Sequence, residues 1–172
     1  MHFTTADVIQ RHDNQIYVTV RTSLSDLFAQ LQYPQKPTSM LALASSDMTH
    51  AHRFREAVLA LFKRQFHISI NADRIDHLSM RMASSQTLRE MFKQEVAEQV
   101  LQGHADHASA SNDRANFLRM DIDALIPSAK AQRQLNIQFP AELGTISVSY
   151  SKPKNQIVKR GPTATRYSQR LD

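Results

Sequence analysis

Glycine occurs at only three positions of this 172-residue chain, Gly103, Gly144 and Gly161. Glycine-rich phosphate loops and successive tight β-hairpins need several residues with positive φ, which glycine adopts at the lowest cost. The scarcity of glycine therefore argues against both and favours a fold in which helices dominate. The length fits one domain of ordinary size that buries a hydrophobic core of its own.

Apolar residues recur at helical spacing along much of the chain. The longest predicted helices span residues 47–66, where Asp47 is the expected N-cap, and residues 86–102, which end at Gly103. Ser23 and Asp26 form a capping-box pattern at the start of a shorter helix. The shorter predicted helices cover residues 4–10, 23–31, 72–85 and 114–126.

Strict alternation of apolar and polar residues, the pattern of a half-buried strand, occurs in fewer segments than helical spacing does. Residues 15–22 have the period of a half-buried strand, and residues 67–70 predict a short one. Residues 135–150 predict a β-hairpin, with the strand at 15–22 as its natural third member, because an isolated hairpin is not stable. We therefore expect an α+β fold: a predominantly helical single domain with a small antiparallel sheet and a basic C-terminal arm.

The charge of the chain is concentrated at its C-terminal end. Residues 151–172 hold six lysines and arginines but one acidic residue, so this tail carries the whole formal net charge of +5. Residues 1–150, the predicted globular domain, are neutral overall. Two prolines prevent the tail from forming a continuous helix. Its cations are Lys152, Lys154, Lys159, Arg160, Arg166 and Arg170.

A flexible cationic arm of this kind can follow a phosphate backbone, and Tyr167 can stack on an unpaired base. A second basic strip, formed by Arg53, Lys63 and Arg64 on the predicted helix 47–66, extends the predicted surface for nucleic acid onto the folded domain. We therefore expect a non-enzymatic nucleic-acid-binding protein or an accessory protein of a nucleoprotein complex. The pattern does not distinguish DNA from RNA and implies no sequence-specific readout.

Two other functions are compatible with the same residues. The protein is alternatively a structural or adaptor subunit of a larger complex, whose arm docks on an acidic protein surface through Ile157, Val158 and Leu171. The third possibility is a small nuclease or a histidine-metal hydrolase. Its catalytic residues cannot be assigned, because such sites need no linear motif.

The sequence gives little support to metal or cofactor chemistry. His50 and His52 are two residues apart and diverge on a helix, whereas His104 and His107 lack an evident third ligand for a catalytic zinc. We therefore expect no metal and no cofactor.

Asp121 and Asp123 are the other pair that suggests chemistry, since paired carboxylates serve in phosphoryl and glycosyl transfer. On the predicted helix 114–126 the two side chains diverge, so we expect them to form part of a charged helix surface.

The chain has no cysteine, which excludes disulfides and thiolate chemistry. Its first residues lack the basic and apolar regions of a secretory signal, and no stretch is apolar enough to span a membrane. We therefore expect a soluble, cytoplasmic protein that does not associate with membranes.

Overall fold

The computed structural model describes residues 4–11, 14–102, 116–126 and 134–152, which hold four α-helices and eight β-strands. The helices are α1 (Leu24–Gln30), α2 (Met40–Ser45), α3 (Met48–Gln65) and α4 (Ser85–Gln102). The strands are β1 (Thr4–Arg11), β2 (Gln15–Ser23), β3 (His67–Ile70), β4 (Asp73–Arg74), β5 (Leu78–Met82), β6 (Phe117–Leu125), β7 (Leu135–Gln138) and β8 (Ile146–Ser151).

The strands form two sheets. The larger is mixed, with the order β5-β6-β2-β1-β8, in which only the β1·β8 pair is parallel. The smaller, β4-β3-β7, is antiparallel. Helix accounts for 40% and strand for 37% of the described residues. The prediction of a predominantly helical domain with one small antiparallel sheet was therefore wrong.

One hydrophobic core joins the helices to one face of the larger sheet. The sheet contributes alternating residues of β2 and β6, such as Val18 and Ile122, which are completely buried. The helices contribute an aromatic cluster in which Phe54 and Phe92 pack edge to face, with ring centroids 5.1 Å apart, and Phe28 contacts both. Burial of these side chains supplies the main stabilisation of the fold.

Two predicted helices are strands. Residues 4–10 belong to β1, and most of residues 114–126 belong to β6, an interior strand of the larger sheet. Leu118 and Ile122 lie four residues apart, a spacing that places side chains on one face of either a helix or a strand. The discriminating positions are Met120, which is buried, and Leu125, which is 63% exposed.

The predicted helix 72–85 was also wrong. Asn71 and Ala72 both have positive φ, and this tight turn reverses the chain from β3 into β4. Beyond β4, Leu78, Met80 and Met82 alternate toward the core as β5, the edge strand next to β6.

The predicted hairpin over residues 135–150 does not form, because its two strands belong to different sheets. β7 pairs with β3, and β8 pairs with β1. A 3-10 turn at Ala141–Leu143, followed by Gly144 with φ of +66°, redirects the chain between them. The strand at 15–22 is confirmed as β2, but its partners are β1 and β6.

The capped helices and the short strand β3 are confirmed. The Ser23 side chain accepts a hydrogen bond from the Asp26 backbone N–H, and the Asp47 side chain accepts one from Thr49, so each residue caps its helix as expected. The predicted loop around His104 and nearly all of the predicted basic arm lie outside the described residues. In the described ranges, no helix combines the length and apolar character needed to cross a membrane.

Candidate nucleic-acid interface

The larger sheet has a second face, opposite the core, which is lined by polar and charged side chains. Because side chains alternate along a strand, the burial of Val18 and Val20 places Tyr17, Thr19 and Arg21 on this opposite face. The strand register assigns the rest. We call this surface the polar face; its main residues are Asp7, Ile9, Arg11, Gln15, Tyr17, Thr19, Arg21, Arg81, Arg119, Asp121, Asp123 and Ser149.

Asp7 on β1 links two neighbouring strands of the polar face. Its carboxylate accepts a 2.9 Å hydrogen bond from the Arg21 guanidinium on β2 and a 2.6 Å hydrogen bond from the Ser149 hydroxyl on β8. The side chains of Arg21 and Asp7 are 46% and 39% exposed, so solvent reaches this ion pair. An exposed pair of this kind contributes little stability and leaves the guanidinium accessible.

Asp121 on β6 occupies a more enclosed position. Its carboxylate accepts hydrogen bonds from the Thr19 hydroxyl at 2.9 Å and from Arg119 Nε at 2.9 and 3.0 Å. Burial of the Asp121 carboxyl raises its pKa, but the hydrogen bonds from Arg119 and Thr19 outweigh burial and hold the pKa below its usual value. Asp121 is therefore a charged, structurally engaged group at neutral pH.

Asp123 lies two residues further along β6, on the same face as Asp121. It accepts hydrogen bonds from Gln15 Nε2 at 3.1 Å and from the Arg81 guanidinium at 3.0 Å. The expectation that Asp121 and Asp123 diverge was thus wrong, since residues i and i+2 of a strand share a face. Both carboxylates already bind arginines, and the described residues contain no group of three His, Asp or Glu side chains suited to hold a metal ion.

Tyr17 is an aromatic residue of the polar face, near the start of the central strand β2. The Arg11 guanidinium lies 5.7 Å from the centre of the Tyr17 ring, within the range of a cation–π contact. Ile9 is directly opposite Tyr17 on β1. The face therefore combines a ring that can stack on a base with a cation that can meet a phosphate.

The basic tail leaves from the edge of this face. In the parallel β1·β8 pair, Ser151 is opposite Ile9, so Lys152 follows at the end of the sheet where Arg11 and Tyr17 lie. Lys152 is exposed. The other predicted tail contacts lie outside the described residues; they are Lys154, Lys159, Arg160, Arg166, Tyr167 and Arg170.

The three residues of the second predicted basic strip are divided between two clefts. Arg53 and Arg64 line a groove of about 820 Å³ between α3 and residues 31–35. Lys63 instead faces a smaller cleft of about 250 Å³, which it shares with Arg74. Neither cleft includes residues of the polar face, so the structure separates this strip from the face where the tail begins.

The arginines of the polar face, Arg11, Arg21, Arg81 and Arg119, were missed as site residues. The alternation of Tyr17 and Arg21 with buried valines was the available signal for β2. Arg119 could not be found, because residues 114–126 were predicted to be helical. Comparison of the chain with protein-family models, with curated proteins and with solved structures finds no match.

Proposed function

We propose that this protein binds single-stranded nucleic acid, DNA or RNA, across the polar face, and that the basic tail extends the contact. The observation that carries the proposal is the parallel pairing of β8 with β1. Through it, Lys152 and the tail that follows begin at the same end of the sheet as Arg11 and Tyr17. Without this pairing, the face and the tail would be two unrelated features.

The chemistry of the polar face suits a single strand. Unpaired bases expose a flat π-surface on which an aromatic ring such as Tyr17 can stack, and this interaction tolerates any base. Arg21, Arg81 and Arg119 are 46%, 67% and 54% exposed, and they add cations that phosphates can reach to the same face. Proteins that bind single strands often do so by stacking splayed-out bases on the surface of a β-sheet.

The three aspartates of the polar face limit its affinity. Four arginines face three carboxylates, so phosphates must compete with Asp7, Asp121 and Asp123 for the guanidinium groups. Long-range attraction therefore comes mainly from the tail, whose cations have few acidic neighbours in sequence. The face positions the strand, and the tail supplies most of the electrostatic free energy.

Fluorescence anisotropy with short labelled oligonucleotides tests the proposal on the full chain. We expect single-stranded DNA or RNA to bind more tightly than a duplex, and binding to weaken when Tyr17→Ala or Arg11→Glu alters the face. Two matched controls should bind like the wild type. Tyr150→Ala removes an exposed tyrosine from the opposite side of β8, and Arg74→Glu reverses a charge in the small sheet.

The tail is tested separately with the double substitution Lys159→Glu and Arg160→Glu, which should weaken binding strongly at low salt. Absence of binding by the wild-type chain at low salt would refute the proposal and leave docking of the arm on an acidic protein surface as the alternative. Equal losses in the Tyr17 and Tyr150 variants would refute the role of the polar face alone.

A further inference from the structure

The groove between α3 and residues 31–35 has the properties of a small-molecule site. Its volume of about 820 Å³ lies in the range typical of ligand pockets. One wall is the surface of α3 and the other is the segment that follows α1, while Glu142 of the 3-10 turn closes part of the rim. Three separate elements thus converge on one concavity on a different surface from the polar face.

Two of the residues that line the groove carry buried polar atoms with unused hydrogen-bonding capacity. The Tyr33 hydroxyl and the Oε2 atom of Glu142 have no hydrogen-bond partner among the described residues. The other oxygen of Glu142 accepts a 3.0 Å hydrogen bond from Gln65 Nε2, which fixes the carboxylate in place. Buried polar atoms without partners are costly, so a ligand toward which these two side chains turned, and which supplied the partners, would bind favourably.

The Tyr33 hydroxyl and the Glu142 carboxylate require different hydrogen-bond partners. Burial raises the pKa of Tyr33 to about 12, so its hydroxyl stays protonated near neutral pH and can donate to an acceptor on the ligand. The Glu142 oxygen needs a donor, such as an amino group. A ligand that satisfies both therefore carries a donor and an acceptor.

Two cations lie along the same groove. Arg53 and Arg64 are eleven residues apart on α3, which places them about 16 Å apart along the helix. Within the described ranges neither guanidinium has an ion pair, whereas Arg55 on the same helix binds Glu56 at 3.0 Å. The cations that line the groove are thus available to an anionic group.

The surface of α3 between the two cations carries small side chains. Ala57 and Ala60 are three residues apart and share the helix face that lines the groove. Without longer side chains there, a flat ring can approach the helix closely. Gln32 and Gln35 on the opposite wall carry amides that both donate and accept hydrogen bonds.

We propose that this groove binds a nucleoside phosphate, with the base over Ala57 and Ala60 and the phosphate at Arg53 or Arg64. The edge of a nucleobase presents donors and acceptors side by side, which matches the needs of Glu142 and Tyr33. The phosphate provides a negatively charged partner for Arg53 or Arg64, neither of which has an ion pair within the described ranges. A free amino acid has suitable charges but leaves most of an 820 Å³ groove empty.

Isothermal titration calorimetry of the full chain with AMP, GMP, CMP and UMP tests the site, with inorganic phosphate and glutamate as comparison ligands. We expect at least one nucleotide to bind with one-to-one stoichiometry and more tightly than either comparison ligand. Arg53→Ala and Arg64→Ala are compared, and the variant that removes the phosphate-binding cation should weaken binding about tenfold through the loss of a charge-assisted contact. Lys63→Ala is the matched control, because it removes the adjacent cation, which faces the other cleft.

Two further variants test whether nucleotides bind in the groove. Ala60→Trp places a large ring on an exposed position of α3 and should abolish nucleotide binding without unfolding the chain, as circular dichroism would show. Tyr150→Ala, at a position outside both the groove and the polar face, should leave nucleotide affinity unchanged. Absence of binding for all four nucleotides, tighter binding of glutamate, or losses in both the Arg53 and the Arg64 variants no larger than in Lys63→Ala would each overturn the assignment, whatever the outcome for single strands on the polar face.

Discussion

The Thr19 hydroxyl on β2 donates a 2.9 Å hydrogen bond to the carboxylate of Asp121, its direct partner on β6. Thr19 is only 4% exposed, although it lies on the face opposite the core. The bond joins the two strands at the middle of the larger sheet and holds Asp121 where Arg119 also reaches it. Polar contacts across the strands thus reinforce a sheet whose other face is apolar.

Replacement of Asp121 by Asn should destabilise the protein by about 1–2 kcal/mol at pH 7, because charge-assisted hydrogen bonds to the carboxylate are lost. The pKa of folded Asp121 is held below its usual value. Its contribution is therefore complete above the unfolded pKa of about 3.9 and is lost as the pH falls through the folded pKa. Urea unfolding at pH 7 and near pH 3 should show the difference shrinking in acid.

Asp73→Asn provides the control for this experiment, since Asp73 is exposed on the short strand β4. It should change stability by less than about 0.5 kcal/mol at pH 7. If the effect of Asp121→Asn were the same at both pH values, the ion pair with Arg119 would not be its cause.

Gly144→Ala should destabilise the fold by about 1–3 kcal/mol through backbone strain. Gly144 has φ of +66° and ψ of −139°, a conformation that residues with a Cβ atom rarely adopt. A Cβ atom added there would meet no atom within 4 Å, so a steric clash does not contribute. Chemical denaturation measures the effect, and Thr145→Ala at the next, exposed position should be nearly neutral. Unchanged stability in Gly144→Ala would show that the turn relaxes.

Phe54→Ala should cost about 3–5 kcal/mol, because it removes a large, fully buried side chain and leaves a cavity. The ring contacts Phe28, Tyr33 and Phe92, so its loss affects α1, α3 and α4 together. Thermal or urea unfolding provides the measurement. Leu41→Ala, at a position that is 61% exposed, should stay within about 0.5 kcal/mol of the wild type; a comparable loss there would argue against this core.

The salt dependence of single-strand binding should separate the tail from the rest of the chain. Each phosphate contact contributes about −0.7 to the slope of log K against log salt concentration. Substitution of Lys159 and Arg160 by Gln should make the slope shallower by about 1.4. The same change at Lys63 and Arg74, which share the smaller cleft, should leave it nearly unchanged. Equal effects of the two pairs, measured by anisotropy titration, would indicate nonspecific attraction to net charge.

The helices with clear end signals were predictable from sequence. Ser23 and Asp47 supply side-chain oxygens for backbone N–H groups, and such short-range chemistry acts through neighbours in the chain. The alternation in β2 was equally local. β6 was misassigned, because Leu118 and Ile122 fit both periods and only pairing with β2 decides between them. The pairing of strands that are distant along the chain produces no recognisable pattern in a single sequence.

The polar face was predictable only in part for the same reason. The alternation in β2 places Tyr17 and Arg21 on one face, although neither was predicted as a site residue, whereas Arg119 and Asp121 depended on recognising β6. Their contacts with Thr19 exist only because two segments far apart in the chain become neighbours. The groove between α3 and residues 31–35 likewise required the packing of separate elements, since Tyr33 and Glu142 share no pattern in the sequence.

The separation of β2 and β6 along the chain has a consequence for how the protein folds. Thr19 and Asp121, which pair in the middle of the larger sheet, are 102 residues apart, and Asp7 and Ser149 on the β1·β8 pair are 142 apart. Closing such long loops costs conformational entropy before the contacts form and stabilise the chain. We therefore expect slow folding for a chain of this size. During synthesis, β1 and β2 emerge long before β6. The unpaired edge of β2 and its exposed apolar face then form a natural substrate for a chaperone.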